Sequence, residues 1–324
     1  LLAVVYLGLM AGSFAFDKWY VLALNWTEQC LLFLMFSAAF AVKLPMFPLH
    51  VWLPDAHTEA PAAGSLILAA LLLKVGAYGF LRFNLPVTPD AAMFFAWYMV
   101  AISVFAVIYI GLLALIQQDI KRLIAYASIS HMGMVTLGFF MIYLIAHKDY
   151  LALQMALSGA CIQMICHAFS AGGLFLAFGM LYTRYAKRQI ADYSGLAHSM
   201  PVFTVFFVLF ALSNIGLPAT AGFVGEYLIF LSSFYVSPLL SFLALFSILL
   251  SAAYTLWMIK RVFYGPITAV ELAKVEDLNK DEILPLALLA FAVLLVGLYP
   301  NILLRYLLLP VNKIISLSLT SKFV

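Results

Sequence analysis

Continuous apolar blocks of about 20 residues follow one another along almost the whole chain, and they limit its fold more than any other feature. A helix of that length rises about 30 Å, the thickness of a bilayer's hydrocarbon core. In lipid each backbone N–H and C=O must be satisfied by protein, which leaves helices or a closed barrel. Barrel strands alternate apolar and polar residues; these blocks do not, so helices remain. Of 324 residues, 66% are hydrophobic and only 10% charged, where a soluble domain carries about a quarter. The expected fold is an all-α polytopic membrane protein with about nine transmembrane helices. The spans read as 1–16, 29–53, 59–83, 90–116, 120–145, 151–183, 200–236, 238–263 and 282–304. The segment 305–324, with Arg305, Lys313 and Lys322, is expected to lie along the membrane surface. The chain opens inside an apolar run without an initiator Met, which reads as a fragment of a longer chain.

A net charge of +3, scattered along the chain, gives no basic patch for nucleic acid. Cys30, Cys161 and Cys166 have no CxxC spacing. Cys161 and Cys166 stand five residues apart beside His167 and point to different helix faces, so no metal site is expected there. No phosphate loop, dinucleotide fingerprint, nucleophile elbow or Fe–S spacing occurs, so redox or hydrolytic chemistry is not expected from this chain alone. Lys121, Arg122, Arg184, Lys187, Arg188, Lys260, Arg261, Lys274 and Lys280 fall in loops on one side, against Lys18, Arg82 and Lys148 on the other. The first set marks the cytoplasmic or matrix side.

Two spans are broken. Pro45, Pro48 and Pro54 interrupt the second, and Pro218 lies between Gly216 and Gly222 in the seventh. Interrupted helices at matching places in two halves point to an ion path in a repeat-built transporter, and five spans separate these two. Lys43 precedes the first break, Glu226 follows the second, and Lys74 lies deep in the next apolar span. A charge at bilayer depth costs roughly 2.5 kcal/mol on insertion scales, so such residues usually face a protein interior or a wet path. Lys43 can snorkel to an interface, but its place at a helix break favours function. Lys74 is about 21 Å from its span's start, too deep for easy snorkelling; the alternative is a structural pair with a carboxylate. For Glu226 the alternative is a favourable contact with a helix N-terminus.

His131 and His167 are mid-span. Each alone fits a hydrogen-bonded core histidine or a proton relay; together with Ser128, Ser130 and Ser170 they favour a hydrated polar axis. Asp119 and Arg122 read as helix-end acid and positive-side anchor, and Lys260 as an anchor. Lys121 either anchors or receives protons entering the path.

One long stretch carries a resemblance: Ala41-Val-Lys43-Leu-Pro-Met-Phe-Pro-Leu-His50-Val-Trp-Leu-Pro-Asp55-Ala-His57-Thr-Glu59-Ala-Pro61. With Leu72-Leu-Lys74-Val-Gly-Ala-Tyr-Gly-Phe-Leu-Arg82, Asp119-Ile-Lys121-Arg122 through His131-Met-Gly133, and His167-Ala-Phe-Ser-Ala-Gly-Gly173, it resembles the antiporter-like proton-pumping subunits of respiratory complex I, in their M (chain 4) branch. The resemblance covers most of the chain. It implies a fourteen-helix fold with two inverted five-helix repeats: residues 1–83 the end of the first, 90–264 the second, 265–324 the last transmembrane helix and tail. It implies a proton pathway through Lys43, Lys74, His131, His167 and Glu226, with Glu226 where sister subunits have Lys. Lys43 would pair with a glutamate on an earlier helix, which this sequence does not contain. Ser194-Gly195-Leu196 departs from the commoner Gly-Gly-Leu.

The expected function is proton translocation in an NADH:quinone oxidoreductase of the bacterial cell inner membrane or an equivalent energy-transducing membrane. No cofactor is expected on this chain; flavin, Fe–S clusters and quinone would belong to other subunits. Expected partners are other membrane antiporter-like subunits, the peripheral redox arm indirectly, and lipids, with no nucleic acid. The alternatives are an Mrp-type cation/proton antiporter, an antiporter-like subunit of a membrane-bound hydrogenase, or a membrane spacer that no longer pumps.

Overall fold

The computed structural model describes residues 1–146, 148–267 and 270–323, with backbone alone at 270. Residues 268 and 269, inside the polar stretch 260–282, lie outside the described residues. Helices dominate, and among the described residues the single β-type pairing is an isolated bridge between Asp119 and Gln189.

The first apolar block is shorter as a helix than its hydrophobicity suggests. α1 (Leu2–Ala11) stops at Gly12, whose φ of 63° supplies a left-handed cap, and α2 (Phe16–Tyr20) follows. α3 (Trp26–Lys43) starts at a capping box in which Asn25 takes the Glu28 N–H and Glu28 returns to the Asn25 N–H. The expected break follows, with α4 (Trp52–Glu59) beyond it. Trp52 Nε1 donates to Val42 O at 3.0 Å, so a side chain satisfies a carbonyl that the interrupted helix leaves free. α5 (Ala62–Val87) is apolar and contains two π-turns, Leu68–Leu72 and Phe80–Asn84. Lys74 sits directly after the first.

α6 (Pro89–Leu115), α7 (Ile120–Ile145) and α8 (Tyr150–Arg184) agree with the expected spans to within a few residues. Asp119 and Asp149 cap the last two by accepting from Arg122 N and Ala152 N. The seventh expected span divides into α9 (Pro201–Ile215) and α10 (Ala221–Val236) around the second break. α11 (Pro238–Phe263) and α12 (Lys280–Leu298) complete the bundle. α12 ends at Leu298 rather than near 304, ahead of Tyr299 and Pro300.

α7 is the central helix, with 94% of its most apolar window buried against 22% for α12. Close approach, rather than exclusion of water, holds helices together in lipid, and small residues permit it. A Cβ added at Gly138 of α7 would lie 2.9 Å from Ala156 O of α8; one at Gly159 of α8 would lie 3.1 Å from Gly225 O of α10. Glycines therefore bring α7, α8 and α10 together around one line through the bundle.

α13 (Asn301–Leu319) is long and apolar enough to cross a membrane. Its contacts place it otherwise. It starts beyond the end of α12 that lies opposite the basic face. Its Asn312 accepts from Gln154 at 2.7 Å, near the first turn of α8 on that same opposite face. Beyond its end, Lys322 Nζ donates to Trp19 O and Val87 O, and Lys322 N donates to Asp90. Start, middle and end all meet opposite-face ends of the bundle, so the tail runs along that face, as its charged and apolar pattern suggested.

Candidate functional site

The buried polar groups assemble into one row across the middle of the bundle. Lys74 Nζ, carried by α5, donates to Ala69 O at 2.6 Å and lies 2.8 Å from His167 Nδ1 on α8. The π-turn ending at Leu72 loosens the helix just before Lys74, whose ammonium reaches a carbonyl five residues back. An ammonium has donors only, so His167 Nδ1 accepts when Lys74 is charged. The rings of His167 and His131 have centroids 5.8 Å apart. His131 Nδ1 is 2.6 Å from Glu226 Oε1, and both side chains are buried at 2% exposure. Gln163 Nε2 donates to the same oxygen at 3.1 Å.

α5, α7, α8 and α10 thus each contribute to a line Lys74–His167–His131–Glu226. Each of its members is an ionisable side chain that can gain or lose a proton, the property a relay needs. His167 Nε2, His131 Nε2 and Glu226 Oε2 are buried with no hydrogen-bond partner among the described residues. Unsatisfied polar atoms at this depth are costly, and their clustering is typical of functional sites.

The other expected residues stand apart from the line. Lys43, the last residue of α3, is exposed and has no hydrogen bond or ion pair among the described residues. Lys121 is buried beside the basic face, where Nζ donates to Ala60 O at 2.8 Å and lies 5.9 Å from the centre of the Tyr182 ring. Arg122 pairs with Asp55, and Arg188 with Asp119 at 3.4 Å, which makes a charged rim there. Lys260 is exposed at the end of α11.

Two residues were missed from the sequence. His57 lies fully buried in α4. Its ring stacks on Phe175 at 4.2 Å, and neither ring nitrogen has a partner among the described residues. It stood in the motif that carried the resemblance, and its position one turn before Pro61 is the signal that was available. Gln163 precedes His167 by four residues on the same face of α8; an amide one turn from a buried histidine was the clue.

The fold and this row of groups define a polytopic helical membrane protein with two interrupted helices and an ionisable axis between them. The family described as NADH:quinone oxidoreductase/Mrp antiporter, transmembrane, matches residues 1–251, and the chain belongs to that family. NADH-quinone oxidoreductase subunit M of Rhodobacter capsulatus is 45% identical over 274 residues, covering 85% of this chain and 52% of that protein. The chain thus spans about half the length of the curated relatives it matches. Respiratory complex I from Thermus thermophilus with bound NADH contains a similar chain, with a TM-score of 0.88 and 32% identity over 98% of this chain and 65% of that one. An Mrp complex from a Dietzia species shares the fold, at a TM-score of 0.82 and 19% identity over 98% of this chain and 64% of its counterpart.

Proposed function

We propose that this chain is a proton-translocating membrane subunit of an NADH:quinone oxidoreductase, in a bacterial inner membrane or an equivalent energy-transducing membrane. The observation that carries the reading is the line Lys74–His167–His131–Glu226, with direct contacts at 2.8 and 2.6 Å at its two ends. The 45% identity to a subunit M over most of this chain supports the oxidoreductase over the Mrp alternative, whose Dietzia complex is 19% identical to this chain.

In this reading protons enter at the basic face by Lys121 and pass His57 to Lys74. Lys74 charges and discharges as the charges near it change. Its proton passes to His167, then His131, then Glu226. The 5.8 Å between ring centres is a gap that one water molecule can bridge. Lys43 faces outward, placed for a carboxylate from outside the described residues, and such a pair would set the charge that Lys74 feels. This chain binds no redox group; electron transfer takes place in other subunits of the complex, with which it packs. Moving one charge against the potential costs about 2.3 kcal/mol per 100 mV, and that energy comes from quinone reduction.

The test is His131→Ala in the assembled complex, reconstituted in vesicles, with electron transfer and proton uptake measured together. Proton movement through this subunit is expected to stop while the complex remains assembled. Proton movement at the normal ratio to electron transfer would remove the relay reading. Sodium-dependent transport by a small complex free of flavin and Fe–S subunits would favour the antiporter instead.

A further inference from the structure

We propose that Gln163 is a positioning residue for Glu226, fixing one carboxylate oxygen on the axis and leaving the other to exchange protons on the side of the second helix break. The inference rests on the proton-path reading above and assigns its last group a geometry.

The two oxygens of Glu226 have different surroundings. Oε1 receives two donors, His131 Nδ1 at 2.6 Å and Gln163 Nε2 at 3.1 Å. Oε2 is buried and has no partner among the described residues. It faces the break: a Cβ built on Gly216 would stand 3.3 Å from it. Gly216 has φ 86° and closes α9, so glycine both makes the left-handed cap and leaves room for the oxygen.

Gln163 is itself held. Gly225, adjacent to Glu226, packs directly on it; a Cβ there would be 2.7 Å from Gln163 Cα and 2.6 Å from Gln163 Oε1. The amide therefore has little freedom to swing away. Hydrogen bonds to a charged group are shorter and stronger than neutral ones, so two donors on Oε1 localise charge there and orient the carboxylate. With Oε2 protonated, Oε1 still accepts from both donors. When His131 Nδ1 hands its proton to Oε1, the proton on Oε2 leaves toward the break, so one proton is received, one is released and the group stays neutral. Rotation of the carboxyl group then returns its proton to the break side, and Gln163 Nε2 is in place to donate to whichever oxygen meets the axis.

Gln163→Met in the full reconstituted complex tests this, read by proton translocation and by the infrared bands of the Glu226 carboxyl, assigned by their loss in Glu226→Gln. The expected result is a changed separation of the two carboxylate stretches and about a tenfold fall in proton translocation, the scale of one charge-assisted hydrogen bond. Unchanged bands and unchanged translocation overturn the inference. If the variant fails to accumulate, Gln163→Leu removes the amide donors with a smaller side chain; the same loss is expected, and a normal rate overturns the inference. Normal translocation in Glu226→Gln would instead remove the proton-path reading itself. Loss in Glu226→Gln with no effect of either Gln163 variant removes only the role of Gln163.

Discussion

His131 and Glu226 meet at 2.6 Å although 95 residues separate them in the chain, and each is buried at 2% exposure. A contact of this kind across α7 and α10 arises because Gly138, Gly159 and Gly225 let the helices between them close up. Glu226→Gln keeps the size of the side chain and removes its ability to take a proton. The expected outcome is a complex of normal abundance that translocates fewer protons per electron pair. Measuring both in the same vesicles checks it.

Packing around the axis leaves no room for a methyl group at Gly225. An alanine Cβ there would fall 2.7 Å from the backbone Cα of Gln163. Overpacking of this kind costs about 1–3 kcal/mol. Gly225→Ala is expected to lower the melting temperature of the complex by several degrees, or its yield, and thermal unfolding of the purified complex reads it.

At the basic face, Arg184 of α8 holds Glu282 of α12 through its two terminal guanidinium nitrogens, one contact being Nη1 to Oε1 at 2.8 Å. The same guanidinium donates to the carbonyls of Glu276 and Asp277, and Asp277 in turn accepts from Val202 N and Phe203 N at the start of α9. One arginine therefore ties α8, α12 and the start of α9 together. Arg184→Lys loses the forked geometry. A destabilisation of about 1–3 kcal/mol is expected, together with faster proteolysis near Glu276 and Asp277, with little change in proton translocation per electron pair.

The tail supplies a pH-dependent contact. Burial lowers the Lys322 ammonium from its ordinary 10.5 to about 8, with Asp90 opposing the shift. Between these values a detached tail carries a proton that the docked tail does not. Docking therefore strengthens as pH rises from about 8 towards 10.5, and gains nothing further below 8, where both states are protonated. Accessibility of a cysteine placed at Ser321 to a water-soluble reagent is expected to fall between pH 8 and 10. In Lys322→Met this dependence is lost.

Much of the fold can be read from the chain because lipid imposes simple rules. Block length gave the spans, and prolines at 45, 48 and 218 located both breaks. Caps shortened what hydropathy alone overestimates: Gly12 ends α1 and Tyr299-Pro300 follows the end of α12. The tail helix shows the limit of length and apolarity, since α13 satisfies both and yet returns to the face on which it starts. Lys74, His131, His167 and Glu226 are conspicuous as polar residues in apolar runs, but sequence cannot tell which of them touch. Lys43 looked equivalent to Lys74 by that criterion, and the structure puts only Lys74 in the row. His57 and Gln163 escaped notice because His57 stands among Asp55, Thr58 and Glu59 rather than in an apolar run, and Gln163 carries no charge; their partners become visible only once four helices are packed.

The most direct test of the central claim is Lys74→Met in the assembled complex, with proton translocation and electron transfer measured in the same vesicles. Methionine fills the space of the lysine stem and removes the charge and the contact with His167. Translocation through this subunit is expected to be abolished with assembly intact. A Lys74→Met complex that moves protons at the normal ratio to electrons would contradict it, and would leave the buried row as structure alone.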